Sequence, residues 1–181
     1  MVSLFHPRKT SPRLERLHSL SLFVNLTPAE LQIVDGLLHE RHYLGGEVIF
    51  DEGEEGQAIY IVASGEVRIS RHENGDGSQV AQAAHESALH PRRRQGDSGQ
   101  LAQLGPGTFF GELALLDNSP RSAQARAVTP CQLIVFFRDD FVGLLDTHAR
   151  IASKISRQLA CHLGTRMRNM ALAVGAHQHM I

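Results

Sequence analysis

The residues best suited to chemistry lie close together, between positions 111 and 123. Gly111 lets the backbone pass close to a ligand. The apolar turn Leu113–Leu116 follows, and free N–H groups at the start of a helix bind anions. A polar turn then leads to Arg121, whose planar guanidinium suits a phosphate, and to the hydroxyl of Ser122. The segment therefore predicts a site for a phosphate group.

Glu112 narrows the class of ligand. A carboxylate repels a phosphate, but it accepts a hydrogen bond from a neutral hydroxyl beside one. A phosphate with an adjacent hydroxyl describes a ribose phosphate, so the residues point to a nucleotide. They leave one alternative open: Glu112 and Arg121 pair with each other, or with Arg126 and Glu66, as surface ion pairs worth about 0–1 kcal/mol.

The whole segment resembles the phosphate-binding cassette of cyclic nucleotide-binding domains. These are the modules of catabolite-activator-type regulators, cyclic-nucleotide-dependent kinases and gated channels. The resemblance rests on Gly-Glu-Leu-Ala-Leu-Leu at 111–116 and Pro-Arg-Ser-Ala at 120–123. Residues 46–53 and 59–67 are similar to the family's early strands, and 104–107 match the turn before the cassette. The likeness covers residues 20–145, apart from 71–100.

The resemblance implies a mainly β fold with flanking helices: a β-roll (a double-stranded β-helix, jelly-roll-like) of about eight strands, with N-terminal helices and a C-terminal helix pair. Arg121 is then expected to pair with the cyclic phosphate, and Glu112 to hold the ribose 2′-hydroxyl. Gly111 would let the chain pass the sugar. Ser122 and the backbone N–H groups of the Leu113–Ala114 turn would assist at the phosphate.

The resemblance also implies a helix that closes over the base. Alignment without gaps from the cassette arginine places Thr165 and Arg166 there; the alternative is that both are solvated helix residues. The serine after the arginine is more like the cAMP-binding bacterial members than the cGMP-preferring kinases. The expected function is a cyclic nucleotide-sensing regulatory module that binds cAMP, with cGMP as the second choice, and relays occupancy through its C-terminal helix to a downstream protein.

The elements that must position these groups follow from local patterns. Thr27-Pro28-Ala29-Glu30 is a capping-box helix start, after a helical stretch with Leu14, Leu17, Leu20 and Phe23 at helical spacing. Short β-rich runs separated by glycine turns then predict strands; they are Glu47–Phe50, Ile59–Ala63, Glu66–Ser70, Leu101–Leu104, Thr108–Phe110, Ala123–Val128 and Cys131–Phe137. Asp139 or Asp140 is expected to cap the last helical region, and a longer helix is expected from His148 to Val174.

The predicted organisation has four parts. A loose tail covers 1–12, the β-roll with its flanking helices 13–146, a lid or dimerisation helix 147–175 and a short tail 176–181. Within 71–100, a hairpin at Asn74–Gly77 with a returning strand at Gln79–Ala83 precedes an exposed insertion. The arginines at 92–94 either lie in a mobile loop or meet an acidic partner.

One side of the long helix carries a row of apolar residues: Ile151, Ile155, Leu159, Leu163, Met167 and Met170. The first four members of this row, from Ile151 to Leu163, predict a homodimer seam. The alternatives are packing on the same subunit's β-roll, or a basic helix face resting on an anionic surface. The region from Thr147 to Ile181 contains no acidic residue.

Composition excludes several classes. The chain has 181 residues, 42% hydrophobic and 20% charged, with a formal net charge of −1, which favours a soluble cytoplasmic protein without a membrane segment. Two cysteines exclude a disulfide scaffold, and Cys131 and Cys161 are both expected to be buried thiols. The 11 histidines are scattered, so no metal site is expected. No nucleophile–base arrangement is recognisable, so the protein is not expected to be an enzyme.

Two other functions remain open. The β-roll could be a ligand-free scaffold acting in dimerisation or docking, or it could bind another effector such as haem. A catabolite-activator-type regulator needs a helix-turn-helix domain after the long helix. The sequence stops at Ile181, so direct DNA binding by this chain is not expected, whether it is a stand-alone sensor or a fragment.

Overall fold

We describe residues 12–71 and 99–178 from a computed structural model. The described part of the chain begins with two helices, α1 (Pro12–Ser19) and α2 (Pro28–Asp35). The predicted capping box of α2 is confirmed: the Thr27 hydroxyl accepts from the Glu30 N–H at 3.3 Å, and the Glu30 carboxylate accepts from the Thr27 N–H at 2.7 Å. These two bonds satisfy backbone donors that a helix start otherwise leaves free.

In the described residues, eight strands form two antiparallel four-stranded sheets, which confirms the predicted mainly β fold. The first sheet has the order β1-β8-β3-β6 and the second β2-β7-β4-β5. The strands are β1 (Leu38–Tyr43), β2 (Val48–Phe50), β3 (Ala58–Ser64), β4 (Val67–Ser70), β5 (Gln100–Leu104), β6 (Phe109–Phe110), β7 (Gln124–Ala127) and β8 (Cys131–Phe137). A short 3-10 helix, Glu112–Leu115, lies between β6 and β7.

Strand β1 is the one element that local sequence did not predict. Its residues are mostly exposed and do not alternate between apolar and polar. The strand forms because it pairs along its whole length with β8, from Leu38 opposite Phe136 to Tyr43 opposite Cys131. A ladder to a partner so distant along the chain leaves no signal in the strand itself.

The core has two compartments. One lies between the two sheets and is built from Phe50, Val62, Val67, Phe110, Ala125, Ala127, Cys131 and Leu133. The other joins the outer side of the first sheet to the helices, and it includes Phe23, Leu31 and Phe136. The helices at both ends of the chain therefore pack on the same sheet.

Two C-terminal helices follow, α3 (Arg138–Thr147) and α4 (Ala149–Gln178). The prediction that Asp139 or Asp140 caps α3 is wrong. The cap position is Phe137, and its side chain makes no capping bond. Both aspartates instead lie in the first turn, where a carboxylate is favourable to the helix dipole.

The apolar row of α4 packs within its own chain. Ile151, Ile155 and Leu159 are buried in the compartment between the first sheet and the helices. For these three residues the homodimer seam is therefore wrong, and packing on the same subunit is correct. Hydrophobic spacing identifies a buried face, but not which surface buries it.

The cysteines differ from each other. Cys131 is buried as predicted, but Cys161 is exposed, which corrects the second prediction. Cys161 lies on the side of α4 away from Ile155 and Leu159, so the helix turns it outward. The predicted hairpin at 74–77, its returning strand, the arginines at 92–94 and the tail at 1–11 lie outside the described residues.

Candidate functional site

The site begins at Gly111, a position where a side chain would be strained and would clash with Arg121. Gly111 has φ +74°, in the left-handed region, and it caps the start of the 3-10 helix Glu112–Leu115. A Cβ built on it would lie 2.6 Å from Nη1 of Arg121 and 3.3 Å from the Ala58 carbonyl oxygen. The glycine thus permits both the turn and the close approach of Arg121.

The chain then reverses to bring Arg121 back to the same place. The Asp117 carboxylate accepts from the Ser119 N–H at 3.1 Å, which forms a tight polar turn. The Arg121 backbone is fixed on the loop between β2 and β3: its N–H donates to the Glu54 carbonyl at 2.7 Å, and its carbonyl accepts from the Gly53 N–H at 2.9 Å. Backbone bonds therefore set the position of this arginine.

The Arg121 side chain is held between two carbonyls. Nη2 donates to the Ala58 oxygen at 2.9 Å and Nη1 to the Gly111 oxygen at 3.2 Å. Its Cζ lies 4.1 Å from the centre of the Phe50 ring and 5.6 Å from that of Tyr60. The guanidinium is therefore oriented by neutral groups and by aromatic faces, which attract cations.

Arg121 is a buried cation without a counter-ion. Its exposed fraction is 8%, and no carboxylate in the described part of the chain forms an ion pair with it. Its Nε is buried and has no hydrogen-bond partner within residues 12–71 and 99–178. Burial lowers the pKa of Arg121 from its ordinary value, against the opposing attraction of Tyr60, Glu54 and Glu112. Buried charges are normally paired, and Arg121 departs from this rule among the described residues.

Glu112, by contrast, has its partner. The carboxylate is only 3% exposed and forms an ion pair with Nη1 of Arg166, whose side chain is 56% exposed. The resemblance had placed Arg166 near the base of a bound nucleotide. The structure places it on the carboxylate expected to meet the ribose.

Helix α4 covers the site with one face. Four residues before Arg166, the ring of His162 packs on Phe109 with centroids 4.3 Å apart. Burial lowers the pKa of His162, while the charge of Glu112 opposes that shift. Residues four apart share a helix face, so His162 and Arg166 together bring α4 onto the cassette.

The other predicted residues are distributed around this centre. Thr165 faces away: its exposed hydroxyl donates to the Cys161 carbonyl at 3.0 Å and accepts from Arg168 at 3.1 Å. Ser122 is exposed next to Arg121, and its carbonyl accepts from Arg71 at 3.1 Å. Leu113 is 41% exposed and Ala114 is buried. Of the predicted residues, the structure thus brings Gly111 into contact with Arg121 and Glu112 into contact with Arg166.

Sequence reasoning missed four contributors: Phe50, Tyr60, the Ala58 carbonyl and His162. The first three come from strands far from the cassette along the chain, so no local pattern marks them. His162 had a usable signal, since it lies one helical turn before Arg166. Burial raises the pKa of Tyr60, so its ring meets Arg121 as a neutral phenol.

Two other features are absent from the described residues. Among residues 12–71 and 99–178, no group of three or more His, Cys, Asp or Glu side chains is arranged to hold a metal ion. Within the same ranges, no helix combines the length and apolarity needed to cross a membrane.

Comparison with known proteins identifies the class. A family model described as "Cyclic nucleotide-binding domain" matches residues 40–87 and 86–148. More than half of the chain is matched, so the chain belongs to the cyclic nucleotide-binding domain family. This agrees with the two-sheet fold and with the cassette between β6 and β7.

Individual relatives include a regulator and a channel. The chain is 36% identical over 151 residues to the cyclic AMP receptor protein of Thermus thermophilus, covering 83% of this chain and 59% of that protein. It is 32% identical over 153 residues to a putative potassium channel protein of Rhodopseudomonas palustris, covering 84% of this chain and 31% of that protein. It thus spans less than two thirds of the length of either relative.

Solved structures show the same fold. The crystal structure of Thermus thermophilus catabolite activator protein superimposes with a TM-score of 0.67 at 34% identity, over 87% of this chain and 63% of that one. The β-roll alone is shorter than 87% of a 181-residue chain, so the likeness also includes part of the flanking helices.

Proposed function

We propose that this chain is a cyclic nucleotide sensor, with Arg121 holding the cyclic phosphate. The observation that carries the proposal is the buried Arg121 guanidinium without a carboxylate partner among the described residues. An uncompensated buried cation destabilises a protein. A bound phosphate supplies the missing charge, and the planar guanidinium donates to two of its oxygens at once.

The neighbouring groups suit the sugar. Glu112 lies directly after Gly111 and its carboxylate is buried in the cassette, where it can accept a hydrogen bond from a ribose 2′-hydroxyl. Gly111 leaves room for the sugar ring. Ser122, and the backbone of Leu113 and Ala114, lie beside the phosphate position. Thr165 belongs to the site only if α4 rotates, because its hydroxyl is bonded within its own helix.

We propose cAMP as the preferred ligand, with cGMP as the weaker one. The support is the serine after Arg121 and the similarity to a protein named for cyclic AMP. The protein is proposed to act by binding rather than by catalysis, and in the cytoplasm. Direct DNA contact is not part of the proposal.

Calorimetric titration of the purified chain tests it. We expect cAMP to bind with a micromolar Kd and cGMP to bind more weakly. We expect 5′-AMP to bind weakest, because its phosphate carries an extra charge and is not tied to the ribose 3′-oxygen. Absence of binding by a folded chain contradicts the proposal. The β-roll is then a scaffold for docking or dimerisation.

We further propose that occupancy is relayed through α4, and that α4 also forms a homodimer. The dimer face is not the predicted seam, because Ile151, Ile155 and Leu159 are buried in the chain's own core. Met167 has the spacing of the same apolar row, but the helix turns it away from these three residues. Ala160, Gly164, Met167 and Ala171 follow spacings of four, three and four residues, the pattern of a coiled-coil seam. Met167 is 71% exposed.

The dimer is tested by the oligomeric state. Sedimentation of the wild-type chain should give twice the mass of one 19.9 kDa chain, and Met167→Glu should give the monomer, because it places like charges opposite each other on the seam. Val142→Glu, at another exposed apolar position, is the control. A wild-type monomer at high concentration contradicts the dimer without affecting the proposed ligand.

A further inference from the structure

Two arginines lie side by side on the outer face of the second sheet. Arg68 on β4 is directly opposite Arg126 on β7 in the antiparallel pairing of these strands. The residues next to them along each strand, Val67 and Ala127, are buried between the two sheets. Because successive side chains of a strand point to opposite faces, both arginines point to the other face, away from the proposed cAMP site.

The two arginines repel each other. Side chains at directly opposite positions of antiparallel strands begin about 5 Å apart, and like charges there are unfavourable. Within residues 12–71 and 99–178, neither arginine forms an ion pair that would offset this repulsion. Arg126 donates from Nη1 to the Gly46 carbonyl at 2.7 Å. The buried Nε of Arg68 has no hydrogen-bond partner in the same ranges, so the pair has unbalanced charge and an unused donor.

Two carboxylates of this sheet and its loops are bound to amides instead. Glu66, two residues before the β4 arginine, accepts from the side chain of Gln103 at 2.8 Å. Asp51 accepts from the side chain of Gln124, which lies two residues before the β7 arginine. These neighbours therefore do not supply the negative charge that would balance the two guanidinium groups.

We propose that Arg68 and Arg126 form a second anion site, for a phosphate monoester, on the outer face of the second sheet. A phosphate monoester carries a charge of about −1.5 to −2 at pH 7, which matches two guanidinium groups, whereas a carboxylate would balance only one. The planar guanidinium also suits phosphate oxygens. The site lies on the other side of the sheet from the cassette and does not depend on the proposed function.

Calorimetric titration with phenyl phosphate, a phosphate monoester, in a phosphate-free buffer of low salt tests the site. Arg68→Gln and Arg126→Gln should each weaken binding about tenfold to a hundredfold, because each removes hydrogen bonds to a charged group. Arg41→Gln is the matched control, since it removes the same charge from an exposed strand position of the first sheet. It should bind as the wild type does. An equal loss in Arg41→Gln reduces the effect to net charge and overturns the site.

Arg121→Ala separates this site from the cassette. Phenyl phosphate should still bind to Arg121→Ala, and Arg68→Gln should have its full effect in that background. Loss of binding in Arg121→Ala, with binding retained in Arg68→Gln, places the phosphate in the cassette. That result overturns the outer site and leaves the proposed sensor standing. Failure of the chain to bind cAMP would contradict the sensor without affecting the outer site.

Stability gives a second readout. A ligand that binds the folded chain raises its free energy of unfolding. Saturating phenyl phosphate should therefore raise the urea midpoint of the wild type and of Arg41→Gln, but not that of Arg68→Gln. An equal rise in all three proteins overturns the site.

A phosphoserine peptide distinguishes two sources of the phosphate monoester. Similar affinities for phenyl phosphate and for the peptide support a site that recognises the phosphate alone, as a small ligand would present it. Tighter binding of the peptide supports the site with a phosphorylated protein as its partner. Binding of neither probe to the wild type overturns the site.

Discussion

The cassette, residues 111–123, and the distal part of α4, residues 160–171, meet at the same site but are held in opposite ways. The cassette is fixed by backbone bonds: Arg121 exchanges two with the loop between β2 and β3, and its side chain donates to two further carbonyls. The distal part of α4 meets the cassette chiefly through the ion pair of Arg166 and the ring contact of His162.

Under the proposed function, this difference separates ligand recognition by the cassette from the response of α4. A binding group held by backbone bonds is preorganised, so little ordering remains to be done when a ligand arrives. A helix segment held chiefly by one ion pair and one ring contact can be released for a modest free energy. The proximal part of α4 belongs to the rigid side of the comparison, since Ile155 and Leu159 are fully buried.

The largest expected effect is on the rigid side, at Arg121. Arg121→Ala should weaken cAMP binding by about thirty-fold to several thousand-fold, equivalent to about 2–5 kcal/mol. The reason is that it removes the protein's partner of the buried charge pair proposed between Arg121 and the cyclic phosphate. Calorimetry gives the affinity. Arg126→Gln, on the same segment of chain but half-exposed, is the control and should bind normally. Unchanged affinity in Arg121→Ala would show that the cassette does not hold the nucleotide.

Substitution of a side chain by alanine should change the free energy of unfolding differently in the two parts of α4. Leu159→Ala should lower the free energy of unfolding by about 3 kcal/mol, because it opens a cavity in a fully buried position. Met167→Ala should leave that free energy nearly unchanged, because the side chain is exposed and surface substitutions are usually close to neutral. Urea denaturation at a protein concentration low enough to keep the chain monomeric compares them. Equal losses of unfolding free energy in the two variants would mean that both parts of α4 pack equally well on the rest of the chain.

Gly111 tests how tightly the cassette is built. Gly111→Ala should weaken cAMP binding about tenfold and also lower stability, because a side chain is strained at a positive φ and its Cβ would clash with Arg121. Gly105→Ala is the control, since a Cβ there meets nothing within 4 Å and the backbone conformation is ordinary. The prediction fails if the two variants bind alike.

The smallest effect concerns how α4 is tied to the N-terminal helices. Lys154 donates to Glu30 at 2.6 Å and, with the capping bonds of Thr27, lowers the pKa of Glu30 from 4.5 to about 2. The stability from this carboxylate is therefore complete above pH 4.5 and is lost as the pH falls toward 2. Lys154→Met should flatten that acid dependence and cost at most about 1 kcal/mol at neutral pH.

Unfolding free energies at pH 3 and pH 6 measure this effect. The difference between the two pH values should be smaller in Lys154→Met than in the wild type. Lys154→Arg, which keeps the charge, should retain the wild-type difference. Parallel behaviour of Lys154→Met and wild type would show that Glu30 is stabilised by its capping bonds alone.

A structural feature could be predicted from the sequence when a short segment of the chain determines it. The capping box at Thr27, the strand Cys131–Phe137 and the cassette motif are short patterns, and the first two are present in the structure as predicted. Strand β1 and the Phe50 and Tyr60 rings around Arg121 depend on pairing and packing between distant segments. No property of those segments alone reveals these contacts.

Helix α4 shows the same limit in another form. The apolar period correctly marks Ile151, Ile155 and Leu159 as one face, but the sequence does not state that the face meets the chain's own sheet. The resemblance placed Arg166 near the site without identifying Glu112 as its partner. The exposed position of Cys161 follows once the buried face is known.

The most direct test of the fixed cassette and the releasable helix is amide hydrogen exchange with and without saturating cAMP. We predict that exchange slows across residues 109–123, where the ligand covers an already rigid segment. Exchange across residues 160–170 should also change, because the relay proposed for α4 requires this part of the helix to respond to the ligand. Unchanged exchange in the cassette, or unchanged exchange in that part of α4, would contradict this division between a fixed cassette and a helix that responds to the ligand.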